Sequence, residues 1–468
     1  MTKVRTRFAP SPTGHLHIGG ARTALYSYLW AKKNGGEFLL RIEDTDRTRY
    51  QPAAEASFID GLHWLGIYWE GEVIRQSERT AVYRAHAQQL LDSGKAYYCF
   101  CTMERLELMR DIQRKKGRAP KYDKTCLRLT PTEVQQNLEQ HVPAVIRLNI
   151  AAEGTIRITD LVRGPIEFKC EELDDQVLVK SDGFPTYHLA SVVDDHASAI
   201  THVIRGEEWI PSTPKHILLY QAFGWEAPVF AHLSLFINKG GGKLSKREGA
   251  TSLLDYRTQG YLPAAVVNFI AMLGWNPKST EEFFTLEQLV HAFELSQVNT
   301  ANPIFDTEKL DWYNSHYIRQ LSIDDLLTYC QPYLPTADPV YLKQIIALEQ
   351  ERLKKLSDIT ALTDFFFLDV LQYEPALLVW KKSTVEATRA VLQKLLPVLA
   401  THSDWSATGL ETALIGWIKA QELGNGDVLW PLRVALSGKK ASPPPFALAA
   451  VLGKDRTCQR VQAAIDLL

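Results

Sequence analysis

No apolar run in this sequence approaches the ~20 residues that cross a bilayer, and the opening residues Met1-Thr2-Lys3-Val4-Arg5 lack the apolar core of a secretory signal. Cysteine is scarce. The six present in 468 residues, Cys99, Cys101, Cys126, Cys170, Cys330 and Cys458, are too few and too uneven for a disulfide framework. These absences predict a cytoplasmic protein with reduced thiols. An excess of one charge is missing as well: 52 Lys and Arg face 54 Asp and Glu, and there is no basic tail or low-complexity run. A near-neutral total leaves nucleic-acid binding open, because that needs cations on one face rather than a basic chain.

What is present is 46% hydrophobic and 10% aromatic residues, enough for well-packed cores, in a chain long enough for about three domains. The stretch Pro10-Ser11-Pro12-Thr13-Gly14-His15-Leu16-His17-Ile18-Gly19-Gly20 organises it. Residues 4–8 before it form a short run that alternates with basic residues. Residues 21–33 after it read as a helix, with Ala24, Leu25, Tyr28 and Leu29 at helical spacing. The stretch is therefore a strand-to-helix turn, stiffened by two prolines and opened to close backbone approach by three glycines. Free N–H groups at a helix start form an anion site. His17 is placed to donate to a phosphate oxygen, with Arg7 just upstream. An ordinary tight turn uses the same Gly and Pro; the two histidines tip the reading toward phosphate.

A second stretch, Lys239-Gly240-Gly241-Gly242-Lys243-Leu244-Ser245-Lys246-Arg247, is a glycine loop ending in clustered cations. It is not a Walker loop, since Leu rather than Ser or Thr follows the lysine. Taken together, the two stretches resemble the paired elements of class I aminoacyl-tRNA synthetases: the "HIGH" element at His17-Ile18-Gly19-Gly20 and the "KMSKS" element at Lys243-Leu244-Ser245-Lys246-Arg247. The words Arg-Phe-Ala-Pro-Ser-Pro-Thr-Gly (7–14) and Arg-Ile-Glu-Asp-Thr-Asp (41–46) resemble bacterial glutamyl-tRNA synthetase, densely over about residues 3 to 320 and more loosely beyond.

That resemblance implies an α/β Rossmann-type catalytic domain with an inserted α+β acceptor-binding subdomain, followed by an all-α anticodon-binding region. The expected divisions are residues 1–95 and 186–251 for the catalytic domain and 96–185 for the insertion. A stem-contact domain is expected over 252–320 and the anticodon-binding region over 321–468. The implied reaction joins L-glutamate to tRNA(Glu) through glutamyl-adenylate, with ATP and Mg2+, in a monomer. His17, Lys243 and Lys246 would stabilise phosphate charge. Arg7, Ser11, Glu43, Tyr187, Ser191 and Arg205 would bind glutamate. Thr13, His17, Gly19, Glu208, Leu235, Phe236, Lys243, Leu244 and Lys246 would bind ATP. Some bacterial members also charge tRNA(Gln), and an inactive RNA-binding homologue is the rival of another class.

In chain order, residues 37–42 read as a strand that delivers Glu43, Asp44 and Asp46 to its C-terminal end, where open parallel sheets bind ligands. Capping is the plainer role for Asp44 or Asp46; Glu43 suits an ammonium group. Residues 53–65 and 81–92 read as helices. In 96–185, a charged helix at 104–116 is followed by strands at 144–150, 155–161, 166–170 and 176–180. Cys99, Cys101 and Cys126 suggest tetrahedral zinc. Arg128 stands where some glutamyl enzymes place a fourth ligand, whereas Tyr122 has the spacing used by the tRNA-modifying paralogue. A zinc site at Cys99, Cys101, Tyr122 and Cys126 and a metal-free thiol knuckle therefore both remain open.

Tyr187 and Ser191 are four apart and share a helix face, while His188 and His196 read as structural. Residues 201–204 form the next parallel strand and deliver Arg205 and Glu208; 214–223 is a helix, and 228–237 holds the last strand. Beyond Ser252 the pattern is helical, with a helix from Leu262-Pro263 to Leu273 closed by Gly274. Another helix covers 284–293, a linker covers 302–309, and further helices cover 324–330, 340–356, 385–396, 412–422 and 456–468. Arg352, Lys354, Lys355 and Arg433 are candidate anticodon cations, each equally at home on a solvated face.

Overall fold

The computed structural model describes residues 3–46, 48–242 and 252–468. The chain divides into two compact units. One comprises Met1–Thr258 with Pro263–Leu310, the other Gln259–Leu262 with Asp311–Leu468.

The first unit begins with β1 (Arg5–Phe8), α1 (Ile18–Lys33) and β2 (Glu37–Ile42). Strands β1 and β2 pair in parallel from Arg5 opposite Glu37 to Phe8 opposite Leu40. Helix α2 (Pro52–Trp64) leads to β3 (Ile74–Arg75), which extends this sheet in parallel beyond β2. After α3 (Thr80–Asp92) the parallel pattern stops. β4 (Ala96–Cys99), α4 (Met103–Lys115), α5 (Pro131–Glu139), β5 (Val145–Leu148), the hairpin β6 (Thr155–Asp160) and β7 (Gly164–Lys169), and β8 (Val177–Val179) make up the insertion. Its strands pair antiparallel in the order β4-β5-β8, with β6 and β7 apart. Helix α6 (Tyr187–Ala197), β9 (His202–Gly206), α7 (Thr213–Phe223) and β10 (Val229–Leu233) return to parallel pairing. The amide of Thr201, at the entry to β9, donates to the Arg5 carbonyl at 2.9 Å and brings this pair alongside β1. The result is the expected Rossmann-type α/β order, β3-β2-β1 beside β9-β10, followed in sequence by a helical C-terminal region. Leu178 of β8, Leu189 of α6 and Val203 of β9 share one core with Tyr83 of α3, so the insertion is packed into the catalytic layer rather than tethered to it.

Helix α1 starts three residues before the sequence pattern places it. His17 occupies the N-cap, and its ring takes over the first helical amides. Three short helices follow the residues outside the described set: α8 (Leu253–Thr258), α9 (Pro263–Met272) and α10 (Leu286–Ala292). Gly274, at φ +95°, turns the chain after α9. Helix α11 (Thr307–Gln320) begins inside the expected 302–309 linker, where the Asp306 carboxylate accepts the Glu308 amide at 3.0 Å.

The second unit continues with α12 (Ile323–Cys330), α13 (Pro339–Glu349), α14 (Asp358–Thr363), α15 (Val385–Thr401), α16 (Ala407–Ala420), α17 (Asn425–Ser437) and α18 (Pro445–Leu467). The expected continuous helix 340–356 breaks after Glu349. The Lys354 and Lys355 amides turn to the Asp358 carboxylate, at 3.2 and 2.8 Å, and so open the next helix. Its core gathers Phe365, Phe366, Leu392, Leu395, Leu414, Leu432 and Val461. No described helix is long and apolar enough to cross a membrane.

One glycine fixes the first strand pair. A Cβ on Gly36 would lie 2.0 Å from the Val4 carbonyl oxygen, beside the 2.9 Å bond from the Glu37 amide to that oxygen. Gly36→Ala is expected to cost about 1–3 kcal/mol, read as a lower urea midpoint at unchanged slope; an unchanged midpoint would contradict this packing.

Candidate active site

A cavity of about 360 Å³ opens at the C-terminal ends of β1 and β9, where the strand order reverses. Parallel strands release their chains here, so successive loops converge. Arg7 and Phe8 come from β1, Glu43 follows β2, Tyr187 starts α6, Arg205 lies near the end of β9, and Glu208 and Trp209 follow it. Ser11, Thr13, Gly14, His15, Leu16, His17, Gly19 and Gly20 form one wall, and Leu235 and Phe236 another. Of the sequence-predicted glutamate ligands, Ser191 does not line the cavity. It is buried behind, accepting a 3.3 Å bond from Arg41 Nη2. Lys243, Leu244, Ser245, Lys246 and Arg247 lie outside the described residues. Lys239, just before them, pairs with Asp306 at 3.0 Å and Glu308 at 3.1 Å instead of facing the cavity.

Three buried arginines meet at one end. Arg7 Nε donates to Asp195 Oδ1 at 3.0 Å and its Nη2 to Oδ2 at 3.4 Å. Arg41 reaches the same Oδ1 at 2.5 Å and Glu43 Oε1 at 2.9 Å. Arg205 differs. It donates to His232 Nε2 at 3.1 Å, the Tyr187 hydroxyl at 2.9 Å and the Thr213 hydroxyl at 2.8 Å. His216 Nδ1 lies 3.4 Å from its Nη1. None of these partners is an acid, and no carboxylate among the described residues lies within ion-pair distance of Arg205. Arg7 and Arg41, at 4% and 1% exposure, therefore share the two carboxylates, and Arg205, at 6%, has none. Burial raises the Glu43 carboxyl above its ordinary value, opposed by Arg41 and Arg7. Burial acts to raise Asp195 too, but Arg41 and Arg7 outweigh it and hold it below the ordinary range. Burial, reinforced by the Arg205 charge, holds His216 well below the usual imidazole value, and burial pushes His188 down to about 4. Both rings are neutral at pH 7, as His216, an acceptor beside the Arg205 guanidinium, must be.

At the other end, His17 Nδ1 accepts the Gly19 and Gly20 amides at 3.1 and 3.2 Å. The helix start is thus not a set of free N–H groups, and the Gly19 amide is already engaged. A ring whose Nδ1 accepts two amides carries its proton on Nε2. His17, exposed to the cavity, is a donor there. Arg22, also missed in the sequence, donates to the Leu273 and Ser234 carbonyls and lies 4.1 Å above the Phe236 ring. Asp44 is held by the Ser77 amide at 2.8 Å, and Asp46 closes a local turn at Thr48 and Arg49.

In the insertion, the Cys99, Cys101 and Cys126 sulfurs lie within 4.8 Å of one another. The Tyr122 hydroxyl is 3.2 Å from Cys101 Sγ and accepts the Cys126 amide at 3.1 Å. The Cys126 thiol bonds to Cys99, holding Cys99 below and Cys126 above the ordinary thiol value. In the helical unit, Arg352 pairs with Glu349 at 2.6 Å, and Arg433 lies 4.7 Å above the Trp430 ring.

This site at the crevice of a doubly wound sheet agrees with the family comparison. Residues 3–312 match the family described as tRNA synthetases class I (E and Q), catalytic domain, and residues 325–465 match an anticodon binding domain. The fold and site are those of a class I aminoacyl-tRNA synthetase, a class that uses ATP. Among relatives, glutamate--tRNA ligase 2 of Thermoanaerobacter pseudethanolicus is 42% identical over 100% of this chain and 99% of its own length. Glutamate--tRNA ligase of Clostridium tetani is 45% identical over 100% and 98%. A solved glutamate tRNA ligase from Elizabethkingia meningosepticum, in complex with its amino acid, superposes with a TM-score of 0.92 at 37% identity, covering 100% of both chains. The chain belongs to the glutamate--tRNA ligase family.

Removing Asp195 leaves two buried guanidiniums short of their acid, so Asp195→Asn is expected to destabilise the first unit by about 3–5 kcal/mol at pH 7. The native Asp195 value lies below the unfolded one of about 3.9, so its contribution is complete above that value and lost as pH falls through the native one. Denaturant curves of wild type and variant should converge below about pH 4; a gap that widens in acid would contradict the pairing.

Proposed function

We propose that the chain activates L-glutamate with ATP, taken as its Mg2+ complex, and transfers the glutamyl group to the 3′ end of tRNA(Glu). One observation carries the reading at the site: Arg205 is buried beside the cavity with only neutral partners. A buried guanidinium with no acid near it favours an anionic ligand, and a carboxylate pairs with two of its N–H groups at once. A glutamine amide would present N–H groups to the same cation and leave it uncompensated. Arg7, whose Nη1 has no partner among the described residues, stands beside it for the second carboxylate of glutamate. Glu43 suits the ammonium group.

In the first step an α-carboxylate oxygen of glutamate attacks the α-phosphorus. The bond from that phosphorus to the bridging oxygen breaks, and pyrophosphate leaves with the electron pair. In the second, a ribose hydroxyl of the terminal adenosine, the 2′ by class analogy, attacks the glutamyl carbonyl and AMP departs. No protein nucleophile is required; catalysis comes from positioning and from donors aimed at phosphate charge. The Nε2–H of His17 is one such donor, and the motif resemblance assigns the same work to Lys243 and Lys246. His17→Ala is expected to lower kcat of tRNA-dependent pyrophosphate exchange by about 10²–10³, while Arg7→Ala and Arg205→Ala raise KM for glutamate well above any change for ATP. Equal changes in both KM values would overturn the carboxylate assignment. Charging of tRNA(Gln) in preference to tRNA(Glu) would overturn the tRNA assignment.

We also infer that Cys99, Cys101, Cys126 and Tyr122 hold one zinc ion. Tetrahedral thiolate zinc has metal–sulfur distances of about 2.3 Å, and the sulfur cluster together with the adjacent phenol fits that geometry. Metal analysis of protein purified without chelator should find one zinc per chain, lost in Cys101→Ser; a metal-free wild type would leave the group a thiol knuckle.

A further inference from the structure

Asp160 ends β6 on the insertion, outside every residue assigned to substrate above. Its two oxygens have different partners. Oδ1 accepts three backbone amides: Val162 at 2.9 Å, Arg163 at 2.8 Å and His232 at 3.2 Å. Oδ2 lies 2.6 Å from His232 Nδ1, and the far nitrogen of that ring, Nε2, accepts the Arg205 Nε–H at 3.1 Å. All three side chains are buried. The Thr213 hydroxyl is also 3.2 Å from His232 Nε2, but its proton has its own acceptor in the Trp209 carbonyl at 3.2 Å. Burial holds His232 below the ordinary imidazole value, against the pull of Asp160 and with the help of Arg205. Hydrogen bonds from His232 and the amides keep Asp160 ionised, outweighing its burial.

We propose that Asp160 is a positioning residue for carboxylate recognition: by accepting the Nδ1 proton of His232 it selects the tautomer whose Nε2 lone pair holds the Arg205 guanidinium. The opposite tautomer would set an N–H against the Nε–H of Arg205. This rests on the reading that Arg205 binds a substrate carboxylate. It ties a hairpin of the insertion to the amino-acid end of the cavity through one ring, as a buried acid fixes a histidine tautomer in hydrolytic triads.

Asp160→Asn tests it at constant shape. Three backbone N–H groups hold the amide oxygen in the Oδ1 place, so the new NH2 must face His232 Nδ1. The ring is then driven to the Nε2–H form. In pyrophosphate exchange with tRNA present, KM for glutamate should rise roughly ten- to a hundredfold, with KM for ATP within about twofold. In 15N spectra of histidine-labelled full-length protein, the wild-type His232 ring should carry its proton on Nδ1, and the variant ring on Nε2. Arg205→Ala serves as the reference. If it leaves KM for glutamate unchanged, the reading of Arg205 falls. If it raises that KM while Asp160→Asn stays within about twofold, the role of Asp160 is overturned. Should the variant fail to fold, a wild-type ring protonated on Nε2 overturns it equally.

Discussion

Asp195 holds two buried arginines at once, and the geometry of the amino-acid end depends on that sharing. With Arg7 and Arg41 both drawn onto one carboxylate, and Arg41 reaching on to Glu43, four charges close into a chain that is nearly neutral. Arg205 stands outside it. An isolated guanidinium in a low-dielectric wall is costly unless it is hydrogen-bonded, and the surrounding imidazoles and hydroxyls supply those bonds without cancelling its charge. The cavity is therefore furnished with a positive charge that is structurally satisfied and electrostatically open. Such a site discriminates by charge rather than size, which is what separating glutamate from its near-isosteric amide demands.

The fold makes this arrangement with little apparatus. Parallel strands end on one edge, so Arg7, Glu43 and Arg205 leave β1, β2 and β9 toward the same space. Helix α6 contributes from across it, with Tyr187 toward the cavity and Asp195 two turns on, beneath the arginines. The His17-capped start of α1 closes the opposite end. There a single ring both completes the helix and presents a donor outward. The insertion shares the core of this layer, which is why one of its carboxylates, on Asp160, lies within reach of a ring that touches Arg205.

Much of this was legible in the amino-acid order. Residues 37–42 read as a short apolar strand that leads into acids, and they form β2 with the same bounds. The strand-turn-helix at 4–33 was legible from its prolines, glycines and apolar spacing. What escaped was mostly the identity of partners through space. Tyr187 and Ser191 share a face; one further turn along it lies Asp195, the acid that pairs Arg7, but no local pattern says that a charged residue there faces inward. Arg41 looked like part of a motif word rather than a buried cation. Asp160 and His232 are 72 residues apart, and neither is unusual in its own neighbourhood. The break after Glu349 was missed because a side chain at Asp358, well downstream, captures the amides that would have continued the helix.

The most direct test is a crystal structure with a non-hydrolysable glutamyl-adenylate analogue bound. The account predicts the side-chain carboxylate of the analogue about 3 Å from an Arg205 nitrogen and the phosphate mimic facing His17 Nε2, with the Arg7–Asp195–Arg41 chain unbroken. An analogue seated with its side-chain carboxylate away from Arg205, or one that draws Asp195 off Arg7 to make room, would contradict it.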